Sequence, residues 1–182
     1  MIIDEYKAIF IHIPKNAGSS IEVLFANGSF RLQPSKHADI YEIKRKFKNS
    51  YDNYRKFTII RNPYDKMVSW YFYLKRNLGE NYDIIDFNEW IKDPSRFWHA
   101  DDPTSYLKPQ HEWIDDTVEL IRFENLNEEL NKFFNKKVDL PIINKSNHDH
   151  YSTYYNKESL NIIYNRYKED FEKYNYKRIT KI

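Results

Sequence analysis

The sequence predicts an α/β fold, a single domain with a central parallel sheet flanked by helices in a three-layer arrangement. Short apolar runs rich in β-branched residues alternate along the chain with amphipathic stretches of helical period. Strands that are buried on both faces form continuous apolar runs of this kind, and their alternation with helices is typical of a parallel sheet. The 182 residues suit one domain spanning 1–182, with no repeat and no linker.

The first elements follow from the apolar pattern near the N-terminus. Residues 7–13 form an apolar run that ends at Pro14, and we expect this run to be a buried strand. The loop 14–19 then leads into a helix for which Gly28 is a plausible end. A second helix is predicted over 38–48, because its apolar residues recur at helical spacing.

A second apolar run, 56–61, predicts the next buried strand, and a clear helix start follows it. Asn62 can cap the helix, Pro63 suits the first helical position, and Asp65 has the spacing of a capping box. The helix that begins here carries an apolar stripe of Met67, Trp70, Tyr71 and Leu74.

The C-terminal part continues the alternation. Residues 80–113 are predicted as short helices and loops whose Trp and Tyr side chains either pack in the core or stack on a sugar. Residues 117–123 predict a third strand, and a helix starts at Asn125. The polar loop 144–152 precedes a final amphipathic helix.

Composition excludes several classes of function. The chain has no cysteine, so a disulfide framework, a thiolate metal site and a cysteine nucleophile are all impossible. A net charge of +2 gives no support for broad electrostatic binding of nucleic acid. The sequence has neither an apolar run of membrane-spanning length nor the pattern of a signal peptide, and we therefore expect a soluble, cytoplasmic protein.

The loop after the first strand is suited to an anion. It brings Lys15, Gly18, Ser19 and Ser20 to the junction of a strand and a helix, where unsatisfied backbone N–H groups attract phosphate. Glycine at this point lets the backbone approach the ligand closely. The alternative is an ordinary strand–turn–helix with a capping serine. A Walker loop fits less well, because Lys15 precedes the glycine instead of following it.

The loop after the second strand offers a second anion site. Arg61 stands at the strand end and can grip a phosphate with two hydrogen bonds. Ser69 lies eight residues later, off the apolar stripe of its helix. The alternative is that Arg61 pairs with a carboxylate and that Ser69 is merely tolerated. Together, the two loops would suit a ligand that carries phosphates at opposite ends of a nucleoside.

These paired loops resemble the sulfotransferase superfamily that uses 3′-phosphoadenosine 5′-phosphosulfate (PAPS), in its carbohydrate O-sulfotransferase, family 2-like branch and the small bacterial members. The resemblance is carried by residues 11–20 and 60–71, with weaker echoes at 122–126, 144–146 and 174–176. It covers about residues 7 to 176, and its specificity lies in the order and spacing of the two loops. It implies a P-loop-like fold with a parallel sheet flanked by helices.

The resemblance also implies roles for individual residues. His37 matches the family's catalytic base, and Lys15 would neutralise charge on the leaving oxygen. Cofactor binding would fall to Lys15, Asn16, Ala17, Gly18, Ser19 and Ser20 at the 5′-phosphosulfate, to Arg61 and Ser69 at the 3′-phosphate, and to Lys145 and Ser146 on a closing loop. PAPS would be the sulfuryl donor, no metal would be required, and we expect the acceptor to be a hydroxyl compound of the sugar or glycan class.

Two other functions fit part of the pattern. A P-loop kinase for a small molecule would turn over ATP with Mg²⁺, but the sequence lacks the required Gly-Lys-Ser/Thr. A non-catalytic nucleotide- or glycan-binding module would keep the loops without transfer. The sulfotransferase interpretation requires Lys15 and Arg61 to lie close enough for one nucleotide to contact both.

Overall fold

The computed structural model describes residues 1–25, 30–31, 37–78, 86–97, 104–141, 143 and 148–180. The chain divides into two compact units, each built from two segments. Unit 1 comprises 1–61 and 110–145, and unit 2 comprises 62–109 and 146–182.

Strands and helices alternate along the described residues. The strands are β1 Ile2–Ile3, β2 Ala8–Ile11, β3 Phe30–Arg31, β4 Arg55–Ile60 and β5 Val118–Arg122. The helices are α1 Gly18–Leu24, α2 Ile40–Lys46, α3 Lys48–Asn53, α4 Pro63–Leu78, α5 Phe87–Trp90, α6 Thr104–Leu107, α7 Leu126–Phe134, α8 Lys157–Arg166 and α9 Lys168–Lys173. Short 3₁₀ turns cover Asp4–Tyr6, Pro94–Phe97, Gln110–Trp113, Phe123–Asn125 and Tyr151–Thr153.

Unit 1 contains a mixed sheet with the strand order β3-β1-β2-β4-β5. The three predicted strands β2, β4 and β5 are parallel neighbours, as the apolar runs indicated. β1 and β3 add an antiparallel edge, which the sequence did not predict because each has only two residues. The predicted α/β class is confirmed, and the sheet is parallel over its three longest strands.

The sheet of unit 1 is covered on both faces. All four residues of β2 are buried, and alternate residues of a strand point to opposite faces, so apolar groups must cover each side. One face packs against α1 and α7. Its core includes Ala8, Phe10, Phe57, Ile59 and Ile121 from the sheet, Ile21 and Phe25 from α1 and the turn after it, and Leu130 and Phe133 from α7.

Unit 2 is helical among its described residues, and its interior is aromatic. The core comprises Tyr64, Met67, Val68, Trp70, Tyr71, Leu74, Phe87, Trp90, Ile91, Tyr155, Leu160, Ile163, Tyr167 and Phe171. The rings pack edge-on or tilted, as between Trp70 and Trp90, whose centroids are 5.2 Å apart with planes at 77°. The apolar stripe predicted for α4 therefore faces this core, and Trp90 packs inside it.

Two predicted helices are each divided in the structure. The helix predicted over 38–48 ends earlier than expected, because α2 ends at Lys46 and a separate helix, α3, begins at Lys48. The final helix is interrupted at Tyr167, which separates α8 from α9. The predicted start of α4 is confirmed, since Oδ1 of Asn62 accepts a hydrogen bond from the N–H of Tyr64 at 2.9 Å. Within the described ranges, none of the helices has the length and apolarity needed to cross a membrane.

Candidate active site

The two predicted anion loops leave the same edge of the sheet. β2 and β4 are parallel neighbours, with Phe10 opposite Phe57 and Ile11 opposite Thr58. Because carboxyl ends of parallel strands meet at one edge, the loop after Ile11 and the loop after Ile60 emerge side by side. This is the edge at which α/β sheets bind ligands.

The first loop has a backbone of unusual shape. Lys15 has a φ of 68° and Ala17 a φ of 58°, so two non-glycine residues adopt the left-handed conformation on either side of Asn16. Alternating right- and left-handed residues turn successive N–H groups into a concave surface that suits an anion. Neither side chain requires that conformation, and the fold must therefore hold it in place.

Gly18 is required by close contact with a histidine. A Cβ added at this position would lie 1.8 Å from Nε2 of His12. His12 is only 5% exposed, and its Nδ1 lies 3.0 Å from Oε1 of Glu22, so the ring has little freedom to move aside. The glycine thus allows α1 to begin directly over the His12 ring.

His37 is oriented by the main chain at the end of β2. Its Nδ1 lies 3.2 Å from the carbonyl oxygen of His12, and the two imidazole rings meet edge to face with centroids 4.5 Å apart. A carbonyl oxygen can only accept a hydrogen bond, so Nδ1 must carry the proton. In the neutral ring, Nε2 then holds the lone pair and is the basic nitrogen. The ring of Trp113 is nearly perpendicular to that of His37, with planes at 78° and centroids 6.5 Å apart.

Arg61 extends from the end of β4 to the first loop. Its Nη1 donates a hydrogen bond to the carbonyl oxygen of Lys15 at 2.8 Å, and its guanidinium lies 4.0 Å from the ring centroid of Phe123. The residue is buried. This hydrogen bond brings the two loops into direct contact.

Two of the predicted phosphosulfate residues have inward-facing side chains. Asn16 is 1% exposed, and its Nδ2 donates hydrogen bonds to the carbonyl oxygen of Ile59 at 2.6 Å and to Oε1 of Gln110 at 2.7 Å. Ser20 is buried as well, and its Oγ accepts a bond from the N–H of Ile143 at 3.2 Å. These contacts hold the loop and the start of α1 against the rest of unit 1.

The remaining predicted site residues lie in α1, in unit 2 or outside the described residues. Ser69 lies in α4 of unit 2 and is buried there. Lys145 and Ser146 lie outside the described residues. Ser19 is half-buried in the first turn of α1. The structure therefore groups Lys15 to Ser20, His37 and Arg61 within unit 1.

Sequence reasoning missed Gln110, which is fully buried at the start of a 3₁₀ turn. No motif or periodicity distinguishes this glutamine from the other polar residues in 80–113. It also left the ring of His12 without a role, although its position next to Gly18 explains the glycine. Trp113, which was an option for sugar stacking, is buried in unit 1.

Two adjacent parallel strands of the sheet therefore end in loops that carry Lys15 and Arg61, an arrangement that suits anionic groups. Residues 1–115 match the model of the Sulfotransferase family, in its family 2 branch. The match covers more than half of the 182 residues, and the chain belongs to this family. The membership supports sulfuryl transfer as the general activity. No curated protein and no solved structure matches the chain.

Proposed function

We propose that the protein transfers a sulfuryl group from PAPS to a hydroxyl of an acceptor, and that this acceptor is a carbohydrate. The observation that carries this proposal is the 2.8 Å contact between Nη1 of Arg61 and the carbonyl oxygen of Lys15. The contact supports the proposal, because a single doubly phosphorylated nucleotide would have to reach both loops. Family membership favours this reaction over the kinase alternative.

His37 would take the proton of the acceptor. The hydroxyl oxygen forms a bond to sulfur while the bond from sulfur to the donor phosphate oxygen breaks, and the hydroxyl proton moves to Nε2 of His37. The hydrogen bond from Nδ1 to the carbonyl of His12 supports this role, because it orients the basic nitrogen away from the strand. General base catalysis of this kind contributes about 10²–10⁴-fold to the rate.

Lys15 would stabilise the charge that develops on the departing oxygen. An ammonium group fixed beside a developing oxyanion lowers the barrier, since its stabilisation grows as the charge grows. The left-handed backbone at Lys15 and Ala17 supports binding of the 5′-phosphosulfate by N–H groups of the loop. By the family resemblance, the 3′-phosphate would fall to Arg61 and Ser69, with Lys145 and Ser146 on a closing segment.

The proposal is tested first with the nucleotide alone. We expect 3′,5′-adenosine bisphosphate to raise the melting temperature without any metal, and ATP with Mg²⁺ to raise it far less, because ligand binding stabilises only a state that recognises it. An equal or larger response to ATP with Mg²⁺ would favour the kinase and contradict the proposal.

Turnover of PAPS over a panel of glycans and simple hydroxyl compounds then tests the reaction. We expect release of the bisphosphate to depend on a saccharide acceptor. Binding of the bisphosphate with no transfer to any member of the panel would favour the non-catalytic module. Transfer to a phenolic or lipid hydroxyl alone would keep the sulfotransferase and reject the carbohydrate acceptor.

A further inference from the structure

Gln110 forms hydrogen bonds to both anion loops. Its Oε1 accepts one bond from Nδ2 of Asn16 at 2.7 Å and another from the N–H of Arg61 at 2.9 Å. Its Nε2 donates to the carbonyl oxygen of Arg61 at 2.8 Å. The side chain is completely buried, so these bonds form away from water.

The orientation of this amide is fixed by groups whose polarity cannot change. The N–H of Arg61 can only donate and its carbonyl can only accept, so Oε1 and Nε2 of Gln110 have one possible arrangement. Asn16 must then present its Nδ2 to Oε1, and the same Nδ2 also donates to the carbonyl of Ile59. Rotating either amide would place donors against donors or acceptors against acceptors.

These bonds fix the first loop relative to the end of β4. Asn16 lies between the two left-handed residues, so its side chain holds the most constrained part of the loop backbone. Arg61 makes the other link through its bond to Lys15. The loop and the strand end are therefore joined twice, once through the guanidinium of Arg61 and once through the buried amide of Gln110.

We propose that Gln110 is a positioning residue, which holds the phosphosulfate loop at a fixed distance from Arg61 so that one nucleotide meets both anion sites at once. It touches neither the reacting atoms nor the acceptor in this scheme. The inference rests on the proposed function for the identity of the ligand. Gln110 thereby becomes part of the site. We attribute to it the preference of the site for a nucleotide with phosphates at both ends over a nucleotide with a single phosphate.

A simpler account is that these hydrogen bonds only stabilise unit 1. Thr58 provides the matched control for that account. Its Oγ1 donates to the carbonyl oxygen of Ile11 at 2.8 Å, and the residue is fully buried, so Thr58→Val also removes a buried side-chain bond between neighbouring parts of the sheet. That bond joins β4 to β2 without touching either loop.

The experiment compares Gln110→Met with Thr58→Val by calorimetric titration of 3′,5′-adenosine bisphosphate and 5′-adenosine monophosphate. Methionine keeps the length of the side chain and loses its hydrogen bonds. We expect Gln110→Met to weaken bisphosphate binding by about ten-fold or more, which corresponds to the loss of one well-formed buried bond. The loss for the monophosphate should be smaller, and KM for PAPS should rise more than kcat falls. Thr58→Val should stay within about two-fold of the wild type for both nucleotides.

Hydrogen exchange of the loop amides measures the same link without a nucleotide. We expect faster exchange at residues 14–20 in Gln110→Met and unchanged exchange there in Thr58→Val. Should Gln110→Met fail to fold, Asn16→Asp breaks the link from its other end, because a carboxylate cannot donate to Oε1 of Gln110.

The outcomes separate this inference from the proposed function. Faster loop exchange in the variant, with no bisphosphate binding by the wild type, would reject PAPS as the donor and support the positioning role. Unchanged loop exchange, or bisphosphate affinity that falls no more than in Thr58→Val, would overturn the positioning role even if PAPS is turned over.

Discussion

The two units bury polar groups in different ways. In unit 1, Asn16, Arg61 and Gln110 form hydrogen bonds to one another and to main-chain groups at the strand ends. In unit 2, the interior is formed mainly by aromatic rings, and the buried charged groups are Lys66 and Asp170 among the described residues. Hydrogen bonds are directional and hold a backbone at defined distances, whereas ring packing depends mostly on volume and tolerates substitution more readily.

This difference predicts that substitutions in the two units have different effects on function and on stability. Substitutions in the polar part of unit 1 should damage ligand binding or turnover beyond any loss of stability. Substitutions in unit 2 away from Ser69 and Ser146 should change stability and leave catalysis largely intact. The predictions that follow test that division, in decreasing order of the expected effect.

His37→Ala should lower turnover by about 10²–10⁴-fold, because it removes the proposed base. Affinity for 3′,5′-adenosine bisphosphate should change far less, which calorimetry can measure beside steady-state rates. His37→Asn is the sharper variant, since its amide can still donate to the carbonyl of His12 but cannot accept the proton as a base. Turnover retained by His37→Asn would exclude His37 as the base.

Gly18→Ala should destabilise unit 1 and impair nucleotide binding together. The new methyl group would overlap the His12 ring, and overpacking of this kind costs about 1–3 kcal/mol or more. Urea unfolding and bisphosphate titration measure the two effects. Combination with His12→Ala should recover much of the lost stability, because it removes the atoms that clash. A double variant no more stable than Gly18→Ala would show that the His12 contact is not the cause.

Lys66→Met should change how stability depends on pH. Burial lowers the pKa of Lys66 to about 8, although the charge of Asp170 opposes the shift. The ordinary value is 10.5, so between pH 8 and 10.5 the unfolded chain holds this proton more often than the folded protein does. The free energy of unfolding should therefore rise with pH across this window, by at most about 1.4 kcal/mol per pH unit from this group.

Urea unfolding between pH 7.5 and 9.5 would measure that dependence, below the range in which most tyrosines titrate. Lys66→Met should flatten the rise, whereas Lys157→Met, which changes an exposed lysine of the same unit, should leave it unchanged. If the free energy of unfolding rose equally with pH in the wild type and in Lys66→Met, the lowered pKa of Lys66 would not be the cause of the rise. Turnover near neutral pH should be similar in both variants, as the comparison of the two units requires.

Asn156→Ala should produce the smallest effect. Asn156 caps α8 in unit 2, where its side chain accepts from the N–H of Ser159 and Ser159 Oγ accepts from the N–H of Asn156, both at 2.9 Å. Loss of an N-cap costs about 0.5–2 kcal/mol. The melting temperature should fall accordingly, while kcat and KM stay near their wild-type values. A larger change in turnover than in stability would contradict the prediction that substitutions in unit 2 act mainly on stability.

Much of the fold could be predicted from local pattern. The three long strands and the start of α4 are set by continuous apolar runs and by an Asn-Pro helix start, which are local signals. β1 and β3 could not be predicted, because a two-residue strand has no periodicity and forms only through pairing with distant chain. The breaks at Phe47 and Tyr167 were missed for a related reason, since the apolar spacing continues through both.

The site divides in the same way. Lys15, Gly18 and Arg61 could be recognised because they stand beside strand ends that the sequence marks clearly. Gln110 could not, because its partners are 49 and 94 residues away in the chain and one of them is a backbone group. The orientation of His37 likewise depends on a main-chain carbonyl, which carries no sequence signature.

The left-handed backbone at Lys15 and Ala17 has a consequence for how such a chain evolves. The left-handed conformation costs an L-residue on the order of 1 kcal/mol. Glycine would adopt the same angles with less strain. A library selected only for heat resistance should therefore accumulate Ala17→Gly readily. A library selected for catalysis should accept it less often, because a glycine there would let the loop sample shapes in which its amides no longer converge. The frequency of that one replacement under the two selections would report how far rigidity of the loop, as distinct from its chemistry, limits the enzyme.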